Sequence, residues 1–90
     1  MLYVYILRSK IDGKLYIGFT EDLRKRIITH NLKVVKSTKP RAPLELIYYE
    51  AYKNREDALR REKLFKTGWG RQYIYKNLNN YFSSKKDSKT

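Results

Sequence analysis

The sequence predicts an α+β fold, broadly α/β in its alternation of elements, with a three-stranded, mainly antiparallel sheet flanked by helices in the order β-β-α-β-α-α. Two segments near the N-terminus alternate residue types with the period of a strand, and later segments repeat apolar residues with the period of a helix. A chain of 90 residues suits one compact core. We therefore expect a single domain over residues 1–82, followed by a disordered basic tail over residues 83–90.

The first two strands are expected to form a hairpin. The segment from Leu2 to Arg8 is rich in branched and aromatic residues, and its alternation puts Val4 on one face of the sheet and Tyr5 on the other. Asp12-Gly13 favours a turn because glycine tolerates a positive φ, and Leu15 to Phe19 returns as the second strand.

Capping residues and apolar periodicity predict the middle of the chain. Thr20 is expected to cap a first helix that runs to about Leu32. The basic segment from Lys33 to Pro43 contains both prolines and has no sustained period, which predicts a surface loop. Leu44 to Tyr52 is typical of a third strand.

Two further helices are expected toward the C-terminus. Asn54 is a suitable cap for the second helix, which should end before Gly68. The final helix is predicted over Arg71 to Tyr81. Beyond it, the Ser-rich and Lys-rich tail offers nothing to bury.

The composition indicates a polyanionic partner. Twenty-one Lys and Arg against nine Asp and Glu give a formal net charge of +12, which favours nucleic acid, although a basic surface can also serve solubility alone. The absence of cysteine excludes disulfides and thiolate metal sites. No segment has the roughly 18 apolar residues of a membrane span, and no targeting segment precedes the first strand. We therefore expect a cytoplasmic protein that does not bind membranes.

Glu62 is the candidate metal ligand. In the second helix it lies about 40° from Ala58 around the helix axis, on the apolar side. A carboxylate in that position is costly to bury without a cation or hydrogen-bond donors, so it needs a partner. The partner is either a divalent metal ion or a basic side chain such as Lys66, one turn later, and the pattern leaves these alternatives even.

Arg26 and His30 are candidates for phosphate and proton chemistry. They lie one helical turn apart at the border of the apolar face of the first helix, so they can approach the same substrate atom. Arginine has a planar fork that matches phosphate, and histidine exchanges a proton near neutral pH. The alternative is an exposed arginine and a histidine that bonds a backbone carbonyl, and the spacing alone favours that alternative.

Tyr5 and Tyr16 allow a geometric test. With a two-residue turn at Asp12-Gly13, Tyr16 would pair with Ser9 and lie roughly 13 Å from Tyr5 on the same face of the sheet. A shared site therefore requires a longer hairpin loop, and two packed aromatic rings fit the pattern equally well. Gly18, inside a strand, indicates a bulge or the close approach of another group.

Loop cations and aromatic residues are candidates for nucleic-acid contacts. The basic loop offers four side chains that suit phosphate better than base edges: Lys33, Lys36, Lys39 and Arg41. Lys66 is a further candidate for contact with DNA. Aromatic residues among basic ones can stack on unpaired bases or fill the core instead, namely Tyr48, Tyr49, Tyr52, Trp69, Tyr73 and Tyr75.

Taken in order, these residues resemble the GIY-YIG nuclease domain, in the small single-domain branch that is similar to the N-terminal catalytic module of the bacterial excinuclease and to eukaryotic nucleases that cut branched DNA. The likeness runs from about Tyr3 to Lys66. It is carried by Val4-Tyr5-Ile6, by Tyr16-Ile17-Gly18-Phe19-Thr20, by Asp22-Leu23-Arg24-Lys25-Arg26 followed by His30-Asn31, and by Ala58-Leu59-Arg60-Arg61-Glu62 followed by Lys66.

The resemblance implies a metal-dependent DNA endonuclease that hydrolyses phosphodiester bonds, on branched or damaged DNA in repair or recombination. It implies that Glu62 holds one Mg²⁺ or Mn²⁺ ion, that Arg26 steadies the phosphate, and that no small-molecule cofactor takes part. The residues implied to position or deprotonate the attacking water are Tyr5, Tyr16 and His30. The alternative is a basic nucleic-acid-binding module that keeps the fold and has weak or no turnover.

Three positions depart from the family pattern. Tyr3 occupies the place of the first glycine of the motif. Phe19 stands where the excinuclease module often has lysine, so one cationic group is absent. The asparagine that closes the site in some members has only Asn77 as a candidate here. The last two departures bear on rate and substrate more than on fold.

Overall fold

The computed structural model describes the backbone of residues 1–87 and the side chains of residues 1–84. Its strands are β1 (Leu2–Ser9), β2 (Leu15–Thr20) and β3 (Leu44–Tyr52), and its helices are α1 (Leu23–Asn31), α2 (Arg55–Phe65), α3 (Gly68–Asn77) and α4 (Asn79–Asp87), with a short 3₁₀ helix at Lys39–Arg41. Both strand pairings are antiparallel, in the order β2-β1-β3. The predicted α+β class and the three-stranded sheet are thereby confirmed.

The hairpin between β1 and β2 has a longer loop than a two-residue turn. Gly13 has a φ of 73°, as a turn residue can. The hydrogen bond that closes the loop joins the Ser9 N–H to the Lys14 carbonyl at 2.9 Å, so the loop is longer than the Asp12-Gly13 pair. Leu7 therefore lies opposite Tyr16, and Tyr5 lies opposite Gly18. The longer loop required for a shared tyrosine site is present.

The helix caps correct one prediction and confirm another. The cap of α1 is Asp22, whose Oδ1 accepts from the Lys25 N–H at 3.1 Å, and the predicted cap Thr20 instead accepts from the Asp22 N–H at 3.2 Å. The prediction placed the cap two residues early because Thr20 also has a capping side chain. At α2, Asn54 accepts from two exposed N–H groups of the first turn, as predicted.

The C-terminal region folds as two helices, and the prediction of one helix from Arg71 was wrong. Thr67 caps α3 by accepting from the Gly70 N–H at 3.0 Å, so that helix begins at Gly68. Helix α4 then extends to Asp87 and includes the first part of the predicted tail. Residues 88–90 of that tail lie outside the described residues.

The central strand β1 separates two apolar clusters. Val4, on one face, packs in a cluster with Ala58 and Phe65 of α2. Tyr5, on the other face, packs in a cluster with Leu23 and Ile27 of α1. Helices α1 and α2 therefore cover opposite faces of the sheet. Within residues 1–87, no helix is both long enough and apolar enough to cross a membrane.

A partly buried ion pair ties α2 to the edge strand β3. The Glu50 carboxylate accepts from Arg61 Nε at 2.8 Å and Nη2 at 3.0 Å, and also from the hydroxyl of Tyr48 at 2.6 Å. The Arg61 guanidinium lies 4.5 Å from the centre of the Phe65 ring. Hydrogen bonds from Arg61 and from tyrosine hydroxyls hold the pKa of the Glu50 carboxyl below its usual range, against the opposing effect of burial. This pair stabilises the packing of α2 on the sheet.

Candidate active site

Tyr5 is the centre of a polar cluster on the α1 face of the sheet. Tyr5 is only 1% exposed, and its ring lies across Gly18 of the neighbouring strand β2. A Cβ at Gly18 would meet the Tyr5 hydroxyl and Cζ inside van der Waals contact. The close approach that Gly18 predicted is therefore confirmed, and the approaching group is the Tyr5 phenol.

Two side chains of α1 reach the Tyr5 hydroxyl. His30 Nε2 lies 3.0 Å from the Tyr5 oxygen, and Arg26 Nε donates to the same oxygen at 3.4 Å. The sequence predicted that Arg26 and His30 approach one atom, because they are one turn apart. In the structure both side chains reach one protein atom, the Tyr5 oxygen, and their approach to a substrate atom stays a prediction.

Tyr16 joins the cluster from β2. Its ring centre lies 6.5 Å from that of Tyr5 and 5.1 Å from that of His30. Tyr16 is half-buried, whereas Tyr5 is almost completely enclosed. The hydrogen bond with Tyr5 is the main cause that raises the pKa of Arg26, and Tyr16 adds to the same effect. Tyr16 thus packs beside Tyr5 and His30, and it is the more open of the two phenols.

His30 is fully buried, with a partner at each ring nitrogen. Nε2 faces Tyr5, and Nδ1 lies 2.7 Å from Thr38 Oγ1. Burial, and then the charge of Arg26, lowers the pKa of His30, so the ring is neutral at physiological pH. The prediction that His30 acts directly on the attacking water is not supported by this placement, because no face of the ring meets solvent.

Thr38 is the residue that sequence reasoning missed. It lies in the basic loop between Lys36 and Lys39, yet it is fully buried against His30. A single threonine among lysines and prolines has no periodicity that would indicate burial. Its role follows only from the way the loop folds back over α1.

Burial has the largest effect on the pKa of the Tyr5 phenol. Burial raises the pKa of Tyr5, the hydrogen bond and charge of Arg26 oppose the rise, and the charges of Tyr16 and Glu62 add to it. Glu62 belongs to α2, on the opposite face of the sheet, but its charge still acts on the Tyr5 oxygen. This effect of Glu62 is the smallest of these causes, and within residues 1–84 no hydrogen bond or ion pair joins Glu62 to Tyr5, Tyr16 or Arg26.

Glu62 has the basic partner that the sequence offered as one of two alternatives. Lys66 Nζ lies 3.4 Å from Glu62 Oε2, while the Glu62 side chain is 19% exposed and that of Lys66 is 55% exposed. An exposed lysine side chain with many rotamers is a displaceable partner. The ion pair is present, and the carboxylate keeps access to solvent.

The donor set at Glu62 suits a hard divalent cation. Within the described part of the chain, no group of three or more His, Cys, Asp or Glu is arranged around a possible metal position. Mg²⁺ is commonly bound by one or two carboxylates together with waters and substrate phosphates. A single carboxylate such as Glu62 fits that mode of binding, in which the substrate supplies the remaining oxygen ligands.

The basic loop presents most of its predicted DNA contacts to solvent. Lys33, Lys36 and Lys39 are exposed, whereas Arg41 is half-buried and its carbonyl accepts from the Ser9 hydroxyl at 2.7 Å. The side-chain amide of Asn31 joins the two ends of the loop. Its Nδ2 donates to the Leu44 carbonyl at 3.0 Å, and its Oδ1 accepts from the Leu44 N–H at 2.7 Å.

Phe19 and Asn77 are the two departures from the family pattern that bear on rate and substrate. The Arg55 guanidinium lies 5.2 Å from the centre of the Phe19 ring, so a cation from α2 occupies the space above that residue. Asn77 is exposed at the last position of α3.

Comparisons with known proteins agree with the motifs. Residues 1–76 match the family model described as the GIY-YIG catalytic domain. A UPF0213 protein of Bacillus pumilus (strain SAFR-032) is 45% identical over 71 residues, which cover 78% of this chain and 70% of that protein. A UPF0213 protein of Streptococcus agalactiae is 45% identical over 65 residues, which cover 71% of this chain and 73% of that protein.

A solved structure extends the similarity to three dimensions. The solution NMR structure of a UPF0213 protein from Bacillus halodurans is similar to this chain with a TM-score of 0.54. The two sequences are 35% identical, and the similar region covers 84% of each chain. The likeness therefore extends over most of the fold.

Proposed function

The chain belongs to the GIY-YIG catalytic domain family, and on that premise we propose that it is a metal-dependent DNA endonuclease that hydrolyses phosphodiester bonds. The observation that carries the proposal is the contact of the Tyr5 phenol of β1 with the guanidinium of Arg26, beside the ring of Tyr16 of β2. A net charge of +12 supports a polyanionic substrate. We propose branched or damaged DNA as the substrate class and expect the activity in the cytoplasm.

Arg26 would bind the scissile phosphate. Its Nε–H is directed to the Tyr5 oxygen, which fixes the plane of the guanidinium and leaves further N–H donors for phosphoryl oxygens. Donors that are held in place before the reaction stabilise the charge that develops on those oxygens. Tyr5 therefore acts as a positioning residue for Arg26, and its burial keeps that position well defined.

Tyr16 is the phenol that we assign to the attacking water. It is half-buried where Tyr5 is enclosed, and it also interacts with Arg26. A hydroxyl in that place orients a water molecule toward the phosphorus by hydrogen bonding. His30 and Thr38 would act through Tyr5, since they lie behind its hydroxyl and do not reach solvent.

Glu62 would hold the Mg²⁺ or Mn²⁺ ion. When bound, such a metal ion would neutralise charge on the phosphoryl oxygens and on the leaving oxygen. Lys66 would then exchange its carboxylate partner for a DNA phosphate, because the same flexible cation suits either anion. The exposed cations of the basic loop, Lys33, Lys36 and Lys39, would contact phosphates further along the strand.

The test compares two variants of α2 on branched and linear DNA, with Mg²⁺, with Mn²⁺ and with chelator. Glu62→Gln should reduce cleavage about 100-fold or more while DNA binding persists. The control Glu56→Gln, at an exposed acid in the first turn of the same helix, should cleave like the parent protein. Equal cleavage by Glu62→Gln and the parent would refute the role of Glu62.

A second candidate function is a nucleic-acid-binding module without effective turnover. The observation that favours it is the ion pair of Glu62 with Lys66, which occupies one carboxylate oxygen. Salt-sensitive DNA binding with no product in either metal would support this function against the nuclease.

A further inference from the structure

Trp69 is an exposed aromatic residue that the active site does not use. It lies in the first turn of α3 and is 59% exposed, although tryptophan buries more apolar area than any other side chain when a core accepts it. It is the only tryptophan of the chain. Its exposure therefore leaves part of the indole ring open to a ligand.

The inner face of the Trp69 ring rests on a stack of aromatic rings. Its centre lies 5.7 Å from that of Tyr73 with an interplanar angle of 17°, and Tyr73 in turn lies 6.3 Å from Phe65 at 20°. Arg61, held by the ion pair with Glu50, covers the Tyr73 ring at 5.1 Å. The stack fixes the orientation of Trp69, so a flat ligand that stacks on its outer face orders little additional side chain.

The segment around Trp69 carries positive charge only. The sequence from Lys63 to Lys86 contains no acidic residue. Exposed cations in this segment with described side chains are Lys63, Lys66, Arg71 and Lys76. This charge distribution complements a polyanion and disfavours an acid-poor protein surface as the partner.

A shallow cavity adjoins the ring. It has a volume of about 220 Å³ and is lined by Trp69, Gln72, Tyr73 and Lys76. These residues are spaced by three, four and seven positions, so they share one face of α3. The face combines an aromatic ring, an amide that can bond a base edge, and a cation about two helical turns from the Trp69 ring.

We propose that this face of α3 binds an unpaired nucleobase of a single-stranded DNA segment, with the base stacked on Trp69 and the neighbouring phosphate at Lys76. In duplex DNA the faces of the bases are covered by their neighbours, so the surface selects unpaired nucleotides. The proposal deepens the proposed function, on which it rests, by naming DNA with a single-stranded segment as the substrate class. It does not depend on metal or on cleavage for its test.

The test uses the fluorescence of the single tryptophan in metal-free buffer. The probes are a single-stranded oligonucleotide of about 12 nucleotides, a blunt duplex, and the same duplex with a single-stranded tail. Trp69 emission should be quenched by the single strand and by the tailed duplex, because a stacked base quenches the indole. The blunt duplex should bind through phosphate contacts and leave the emission nearly unchanged.

Two variants separate stacking from folding. Trp69→Ala has no tryptophan, so its affinity is measured by the fluorescence anisotropy of labelled DNA. It should weaken binding of the single strand by about 5- to 100-fold, while affinity for the blunt duplex stays within about twofold of the parent value. Trp69→Phe keeps an aromatic ring, so it should lose less affinity for the single strand than Trp69→Ala. Circular dichroism of both variants, together with the retained duplex binding, establishes that they are folded.

Several results would overturn the proposal. These are unquenched emission at saturating single strand, equal losses of single-strand and duplex affinity in Trp69→Ala, or a shift of emission that depends on protein concentration and so indicates self-association. The outcome is separable from that of the nuclease proposal. Quenching of Trp69 is measured without metal and whether or not any cleavage occurs, whereas cleavage is tested separately with Glu62→Gln.

Discussion

Gly18 and Tyr5 lie opposite each other in the β1–β2 pairing, and the phenol of Tyr5 crosses the space that any other side chain at position 18 would occupy. The absence of a Cβ at Gly18 allows the Tyr5 oxygen to reach His30 and Arg26 of α1. The position of the Tyr5 side chain thus requires a glycine at position 18.

Gly18→Ala should therefore impair the site more than the fold. The new methyl group would displace the Tyr5 ring and break its bonds to Arg26 and His30, and a misplacement of about 1 Å can cost about 100-fold in rate. The measurement is DNA cleavage at fixed metal concentration, together with thermal unfolding. Gly68→Ala is the matched control, because a Cβ at Gly68 has no neighbour within 4 Å. Full activity of Gly18→Ala would contradict this interpretation of the pair.

Thr38 should determine which nitrogen of His30 carries the proton. Arg26 can only donate, so the Tyr5 oxygen accepts at least one hydrogen bond. Among the side chains of residues 1–84, the Thr38 hydroxyl bonds only His30 Nδ1, and its hydrogen is satisfied if it donates there. His30 Nε2–H would then donate to Tyr5.

The single histidine makes this prediction measurable by ¹⁵N NMR of the imidazole. The parent protein and Thr38→Ser should show the Nε2–H tautomer, and Thr38→Val should lose the preference. Cleavage should fall in Thr38→Val and be rescued in Thr38→Ser, because only the hydroxyl distinguishes them in the contact with His30. An Nδ1–H signal in the parent protein would reverse the assigned direction of the hydrogen-bond chain.

His30 should make the protein less stable in mild acid. Burial lowers its pKa below the value of about 6.5 expected in the unfolded chain, so the unfolded state binds more protons between the two pKa values. The stabilising contribution of the neutral ring is fully present above about pH 6.5 and is lost as the pH falls through the lowered pKa. For one proton the slope is at most about 1.4 kcal/mol per pH unit.

Urea unfolding at a series of pH values measures this effect. The free energy of unfolding of the parent protein should fall from pH 7 to pH 5 more steeply than that of His30→Gln, which has no group to titrate at this position. Identical slopes for the two proteins would show that His30 is protonated equally in the folded and unfolded states.

Arg61 and Arg60 should differ in their contribution to stability although they are adjacent in sequence. Arg61 donates two hydrogen bonds to Glu50, and the two side chains are 23% and 17% exposed. Arg61→Met should lower the free energy of unfolding by about 2–4 kcal/mol, because it leaves a partly buried carboxylate without its cation.

Arg60→Met is the control for this pair. Its ion pair with Asp57 spans 3.8 Å, with side chains 79% and 56% exposed, so its loss should change the free energy of unfolding by less than about 0.5 kcal/mol. Chemical denaturation of both variants makes the comparison. Similar losses in the two variants would contradict the distinction between them.

Much of the fold was predictable because it depends on local pattern. Period-two alternation placed Val4 and Tyr5 on opposite faces of β1, and capping chemistry placed the start of α2 after Asn54. The errors came where the local chemistry allows two assignments. Thr20 and Asp22 are both suitable caps, and Gly68 suits the end of one helix as well as the start of the next.

Composition and spacing along the chain were enough to predict the class of fold, the basic charge and the order of the motifs. The folded chain was needed to show that His30 is enclosed behind Tyr5, that Thr38 completes its hydrogen bonds, and that the ion pair of Arg61 is partly buried where that of Arg60 is exposed. Protonation and pairing depend on burial and on groups that approach from distant parts of the chain. No local period encodes those approaches.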